Sequence, residues 1–143
     1  MVKNIYEILN EFSSAKTVDQ QKEVLRKNNQ HYFKEVLKYT FNPSFEFYVD
    51  SEFPADYVTP DTVPGIRFAG IESEIRRAYL FIKGNPTADV LTPEKRKILL
   101  LQLLESFEPE EAKVWFNMMS KDLKVKGLTA TLVQEVYPEL FLM

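Results

Sequence analysis

Few side chains in this sequence have the types and spacing that acid–base or metal chemistry needs. Glu108, Glu110 and Glu111 stand close enough to share protons, but Pro109 among them marks the first turn of a helix, where the positive end of the helix dipole already accounts for acids. His31, the single histidine, lies among polar residues at a predicted helix start and has neither a cysteine nor a second histidine with which to share a metal. It reads as a surface residue. Cysteine is absent, which excludes disulfides, thiolate metal sites and cysteine nucleophiles. Glycine-rich phosphate loops and Gly-x-Ser-x-Gly elbows are absent as well. The expectation is a chain that binds rather than catalyses, with no cofactor and no metal.

By size, what holds the binding residues is expected to be a single domain over residues 1–143, long enough for one core and needing no second. An apolar content of 45%, four glycines and charges of both signs belong to an ordinary folded chain. No run of apolar residues is long enough for a membrane span, and Met1-Val2-Lys3-Asn4 leads into an amphipathic stretch rather than a signal peptide, so a cytoplasmic location is expected. The net charge of −3 argues against a nucleic-acid partner until its distribution is read. Glu46, Asp50, Glu52, Asp56 and Asp61 fall in a stretch without a single Lys or Arg; outside it sixteen acids face eighteen bases, a balance of +2. Bases are thus available for one face.

The spacing predicts an all-α fold of about seven helices with one irregular acidic insertion over about 45–64. Ile5, Ile8, Leu9 and Phe12 make one stripe on a helix over about 3–14. Thr17 and Gln20 read as a capping box opening a helix to about Lys27, and Phe33, Val36, Leu37 and Phe41 mark a third over 31–41, ended by Pro43. Pro54, Pro60 and Pro64 keep the aromatic, acidic stretch irregular. Ile71, Ile75, Ala78, Tyr79 and Ile82 then predict a helix that stops at Gly84-Asn85. Thr92-Pro93-Glu94 opens a helix to about Phe107 whose apolar residues on nearly all sides suggest a central position. The next helix begins at Glu108-Pro109 and buries Val114, Trp115, Met118, Met119 and Leu123; the last runs from Thr129 to Tyr137.

Two sets of motifs, read jointly, carry a resemblance. Ile8-Leu9-Asn10-Glu11-Phe12 with Val24-Leu25-Arg26-Lys27-Asn28 stands near the start, and Met118-Met119-Ser120-Lys121-Asp122-Leu123-Lys124-Val125-Lys126-Gly127 with Val136-Tyr137-Pro138-Glu139-Leu140 near the end. The chain resembles the N-terminal DNA-binding domain of ATP-dependent DNA ligases, most closely those of T-even-like bacteriophages. The resemblance runs from Ile8 to Leu140 and fits least between Asp50 and Pro64. It implies a compact helical domain, phage-encoded and working in the cytoplasm of an infected bacterium, that holds duplex DNA by its backbone beside a ligase or another replication protein. Those ligases attach AMP to the lysine of a Lys-x-Asp-Gly motif. No such tetrapeptide occurs here, so the implied role is non-catalytic.

The resemblance also picks out residues. Lys83, Gly84 and Asn85 match one DNA-contacting turn of the family, with Pro86 departing from the pattern. Lys121, Lys124, Lys126 and Gly127 match a second, where Gly127 lets backbone amides approach a phosphate and Thr129 and Thr131 stand at a helix N-terminus with free donors. Arg26 and Lys27 resemble a further basic position. Each has a plainer explanation: a glycine after a lysine-rich turn is a common helix C-cap, and Arg26 and Lys27 an ordinary solvated helix end. An alternative keeps the fold without DNA, as a protein-interaction module that inhibits or recruits a replication factor, with the acids and rings of the 46–61 stretch as its surface or as a shield over the chain's own basic face. The plainer reading has Phe47, Phe53 and Tyr57 packing on the core. Leu140, Phe141, Leu142 and Met143 resemble the tails by which phage replication proteins dock on sliding clamps, though folding back on the core is the commoner fate.

Overall fold

The computed structural model describes residues 3–50, 52–60 and 68–142. Asp61 and Pro64 of the acidic stretch and Met143 of the tail lie outside them. Among the described residues the fold is all-α, with eight α-helices, two 3-10 segments and no strand; its one β-bridge joins Phe47 to Ile82.

Helix α1 (Ile5–Ser14) buries its expected stripe of Ile5, Ile8, Leu9 and Phe12. In α2 (Val18–Lys27) the Thr17 hydroxyl accepts the Gln20 amide at 3.1 Å as expected, while the Gln20 carboxamide reaches one residue further back, to the Lys16 amide at 2.8 Å. Helix α3 (His31–Phe41) buries Phe33, Val36 and Leu37 and ends before Pro43. Asn28, which leaves α2, is buried and donates to Glu11 at 3.0 Å and to the Val24 carbonyl at 2.8 Å, tying α2 to α1.

The predicted helix at 71–82 is corrected in kind. It forms α4 (Ile71–Glu74) and then a 3-10 segment, Ile75–Phe81, whose buried residues Ile75, Ala78 and Phe81 recur every third position. That period matches the three residues per turn of a 3-10 helix and leaves Tyr79 exposed. Gly84 and Asn85 stop it and also begin something: Asn85 caps the short α5 (Pro86–Asp89), accepting the Thr87 amide at 3.0 Å.

The central helix is also not the predicted one. In α6 (Pro93–Ser106) the buried residues are Leu100, Leu103 and Leu104, and Ile98 is exposed. The centre belongs to α7 (Pro109–Met119), which packs against α1, α3 and α6 and buries Ala112, Val114, Trp115, Phe116, Met118 and Met119. Trp115 and Met118 are fully buried, and a helix apolar on most of its surface must be enclosed on most sides. Helix α8 (Ala130–Val136) packs on α2, and the Tyr137 hydroxyl donates to the Leu25 carbonyl. A 3-10 turn, Pro138–Phe141, closes on α3 through Asn42 Nδ2, which donates to the Leu140 carbonyl at 3.0 Å.

Candidate nucleic-acid interface

Both lysine-bearing loops border the segment that leaves α3. On one side the chain doubles against Ile82 and Lys83: the Tyr48 amide donates to the Phe81 carbonyl at 2.7 Å and the Lys83 amide to the Glu46 carbonyl at 2.8 Å. Gly84 then turns with φ +91°, a left-handed conformation open to glycine at little cost. Its amide donates to Asp89 Oδ1 at 3.0 Å, and the Tyr48 hydroxyl donates to the same oxygen at 2.6 Å. The Tyr48 bond and then the Gly84 amide hold the Asp89 carboxyl below the usual carboxylate range, and Asp89 in turn pushes the Tyr48 hydroxyl up. Arg96 lies 3.8 Å over the Tyr48 ring and donates to the Leu91 carbonyl at 2.9 Å and to the Ala88 carbonyl of α5 at 3.4 Å, fixing the first turn of α6 to α5. The Lys83 ammonium stands exposed, 5.8 Å from the centre of the same ring.

Between the 48–55 segment and α6 runs a groove of about 710 Å³. Its apolar lining includes Phe53, Leu100 and Phe116; Lys83, Arg96 and Lys97 contribute positive charge and Asp50, Glu52 and Glu94 negative. The acidic segment packs inward and also pairs with one base, Lys97. Phe47 is buried, Phe53 meets Tyr57 and Phe116 edge to face at 4.9 and 5.3 Å, and Asp56 pairs with Lys97 at 2.6 Å. The pair lowers the Asp56 carboxyl and raises the Lys97 ammonium.

The 120–129 loop meets the start of the same segment through Lys121. Lys121 and Lys124 are left-handed, φ +66° and +57°, as is Gly127 at +87°. Such a φ costs a side-chain-bearing residue roughly 1–2 kcal/mol, so something must hold it. The Lys121 ammonium does so by donating to the Tyr39 and Asn42 carbonyls, both at 2.7 Å, at the C-terminal end of α3. Burial lowers its pKa to about 8, against a smaller opposing effect of Glu46. Asp122 Oδ1 accepts the Lys124 amide at 2.8 Å. Gly127 lies against Gln21 of α2, whose Nε2 would stand 2.9 Å from a Cβ added there. Lys124 and Lys126 are exposed, and among the described residues neither ammonium is in an ion pair. The Thr129 hydroxyl is spent on capping α8, accepting the Leu132 amide at 3.2 Å, and Thr131 is exposed in that helix.

Residues 8–125 match a family described only as a family of unknown function, DUF6433. This chain belongs to that family. No curated protein matches it.

In this DUF6433 protein the remaining candidate residues are placed as follows. Lys27 pairs with Glu11 at 3.0 Å and Arg26 with Glu23 at 3.8 Å, both on the exposed end of α2. Leu140 is buried and Phe141 packs partly against the core, whereas Leu142 is 74% exposed. No hydrogen bond, ion pair or ring contact among the described residues joins Lys83 to Lys124 or Lys126; Glu46 stands between the two loops, bonded to one and acting on Lys121 of the other. Sequence reasoning missed two features. The Tyr48–Asp89–Arg96 cluster had one visible signal, the basic run Lys95-Arg96-Lys97 directly after a helix cap. Glu111 had none: it reads as an N-terminal acid of α7, yet it is 1% exposed because α1 closes over it. Among the described residues no group of histidines and acids is arranged to hold a metal, and no helix is long and apolar enough to cross a membrane.

Proposed function

We propose that this DUF6433 protein is a non-catalytic, sequence-independent duplex-DNA-binding module that follows the phosphate backbone, with Lys124 and Lys126 as its principal contacts, Lys83 and the Gly84 turn as a second, and Lys121 setting the loop between them. The observation that carries this reading is the 121–127 loop. Two left-handed lysines are held there by the Lys121 ammonium and the Asp122 carboxylate, ahead of a left-handed Gly127, while the exposed ammonium groups of Lys124 and Lys126 are in no ion pair among the described residues. Backbone outliers fixed at such expense collect at functional sites, and exposed, unpaired lysines are what counterion release from DNA requires. The resemblance to the DNA-binding domain of phage ligases points the same way and suggests a place beside a ligase or another replication protein.

A labelled nicked duplex titrated with the protein at low and moderate salt tests the reading by fluorescence anisotropy. Binding should weaken as salt rises, and Lys124→Ala/Lys126→Ala should weaken it further and flatten the log–log salt slope by roughly 2, one ion per lost phosphate contact. Absence of salt-dependent binding to nicked and intact duplex alike would rule the proposal out. That outcome would favour a protein-interaction module instead, a reading supported by the exposed acids Asp50, Glu52 and Asp56 set over inward-packed rings and by the exposed Leu142.

A further inference from the structure

We propose that the seat of α1 on α7 is a proton-operated latch, in which Glu111 holds the first turn of α1 as the neutral acid and loosens it on ionising. The inference is independent of DNA binding. Glu111 Oε1 accepts the Tyr6 amide at 2.7 Å, one of the donors that every helix start leaves free, and the neighbouring Ile5 amide also acts on the carboxyl. The residue is 1% exposed, and Oε2 has no hydrogen-bond partner among the described residues. A neutral carboxyl can keep its proton on Oε2 and lose nothing at Oε1. An ionised one must share its charge with a buried oxygen that no hydrogen-bond donor meets among the described residues.

Among the described residues no base stands among the groups that act most on Glu111. On α7 itself the facing group is Glu108, whose Oε2 accepts the Tyr6 hydroxyl at 2.8 Å; on α1 it is Glu7. On α3 it is Tyr32, which feels Glu111 together with Glu72, at α4, and Glu7. None of the groups acting on Glu111 comes from α6, the third helix packed against α7. The two backbone bonds favour the charged form, as does the positive end of α1, but burial outweighs them and the acids Glu108 and Glu7 add to it. The carboxyl is pushed up to about 7. Because this exceeds the ordinary glutamic acid value, the stabilising contribution is complete below the unfolded pKa and is lost as pH rises through about 7.

The test uses amide hydrogen exchange at Ile5 and Tyr6 in the whole chain, corrected for intrinsic rates. Protection should fall about tenfold between pH 6 and 8, the ratio expected for a group near 7 whose open form has the ordinary acid value. In Glu111→Gln, which keeps an acceptor for both amides, the slope should vanish. Trp115, the single tryptophan, is buried one turn further along α7 with its own Nε1 unpartnered among the described residues, so its emission should titrate with the same midpoint and fall silent in the variant. Protection independent of pH in the wild type, or an unchanged slope in Glu111→Gln, overturns the latch. Should that variant not fold, the Glu111 carboxyl carbon followed by NMR in the wild type decides: a midpoint near 7 supports the proposal and one below 5 overturns it.

Discussion

Lys121→Met keeps the apolar stem of the side chain and removes the ammonium. Two bonds of 2.7 Å are lost, to the carbonyls of Tyr39 and Asn42. The two carbonyls fare differently. Asn42 retains the Phe45 amide at 3.2 Å, whereas the residue that would serve Tyr39 in a continuing helix is Pro43, which has no N–H. Hydrogen bonds to charged groups are worth about 1.5–3 kcal/mol each, so the pair contributes roughly 3–6 kcal/mol before burial is counted. Against this stands the lowering of Lys121 from 10.5 to about 8. That shift corresponds to at most about 3 kcal/mol, and to less for a side chain only half-buried. The bonds win, and a net loss of about 2 kcal/mol is expected for the variant, or a fall in Tm of roughly 6 °C for a chain of this size. Urea and thermal unfolding measure it, with Lys124→Met as control because that ammonium is in no ion pair among the described residues; it should change stability by less than about 0.5 kcal/mol. The pH dependence carries its own sign. A folded-state pKa below the unfolded one means that the unfolded chain binds the extra proton between about pH 8 and 10.5, so the wild type should gain stability relative to Lys121→Met across that window. A Lys121→Met protein as stable as the wild type, or a control that loses as much, would refute the reasoning.

Two further substitutions probe what positions the loops. Gly127→Ala places a Cβ on a residue with φ +87° and 2.9 Å from Gln21 Nε2; it should cost about 1–2 kcal/mol by urea unfolding, with the shift reported by the Gln21 side-chain amide in NMR spectra. Thr92→Ala removes the hydroxyl that accepts the Lys95 amide at 3.1 Å at the start of α6 and should cost about 1 kcal/mol, read from the urea midpoint at unchanged m-value.

Where a single apolar stripe or a cap fixes a helix, as in α1, α2 and α3, the structure follows the local pattern. The stripe of α1, the Thr17 and Thr92 caps of α2 and α6 and the proline that ends α3 depend on residues within four positions of one another, and each is where the sequence places it. The failures share a cause. At 71–81 a three-residue spacing of Ile75, Ala78 and Phe81 competes with a four-residue reading, and docking beside α3 and α5 favours the tighter turn. For α6 and α7 both sequences are apolar enough to be central, and the decision rests on which can be enclosed by three neighbours at once.

The sequence by itself determined the helical class, the ends of most helices and the irregular course of the described part of the acidic segment, because propensity, capping and charge act over a few residues. Only the tertiary structure decided the rest. It turned Lys121 from a candidate contact into the clasp on α3, laid the acidic segment against α6 through Asp56 and Lys97, and enclosed Glu111 beneath a helix more than a hundred residues earlier in the chain. Burial and charge pairing are properties of neighbours in space, and a lysine or glutamate carries no local mark of which neighbour it will meet.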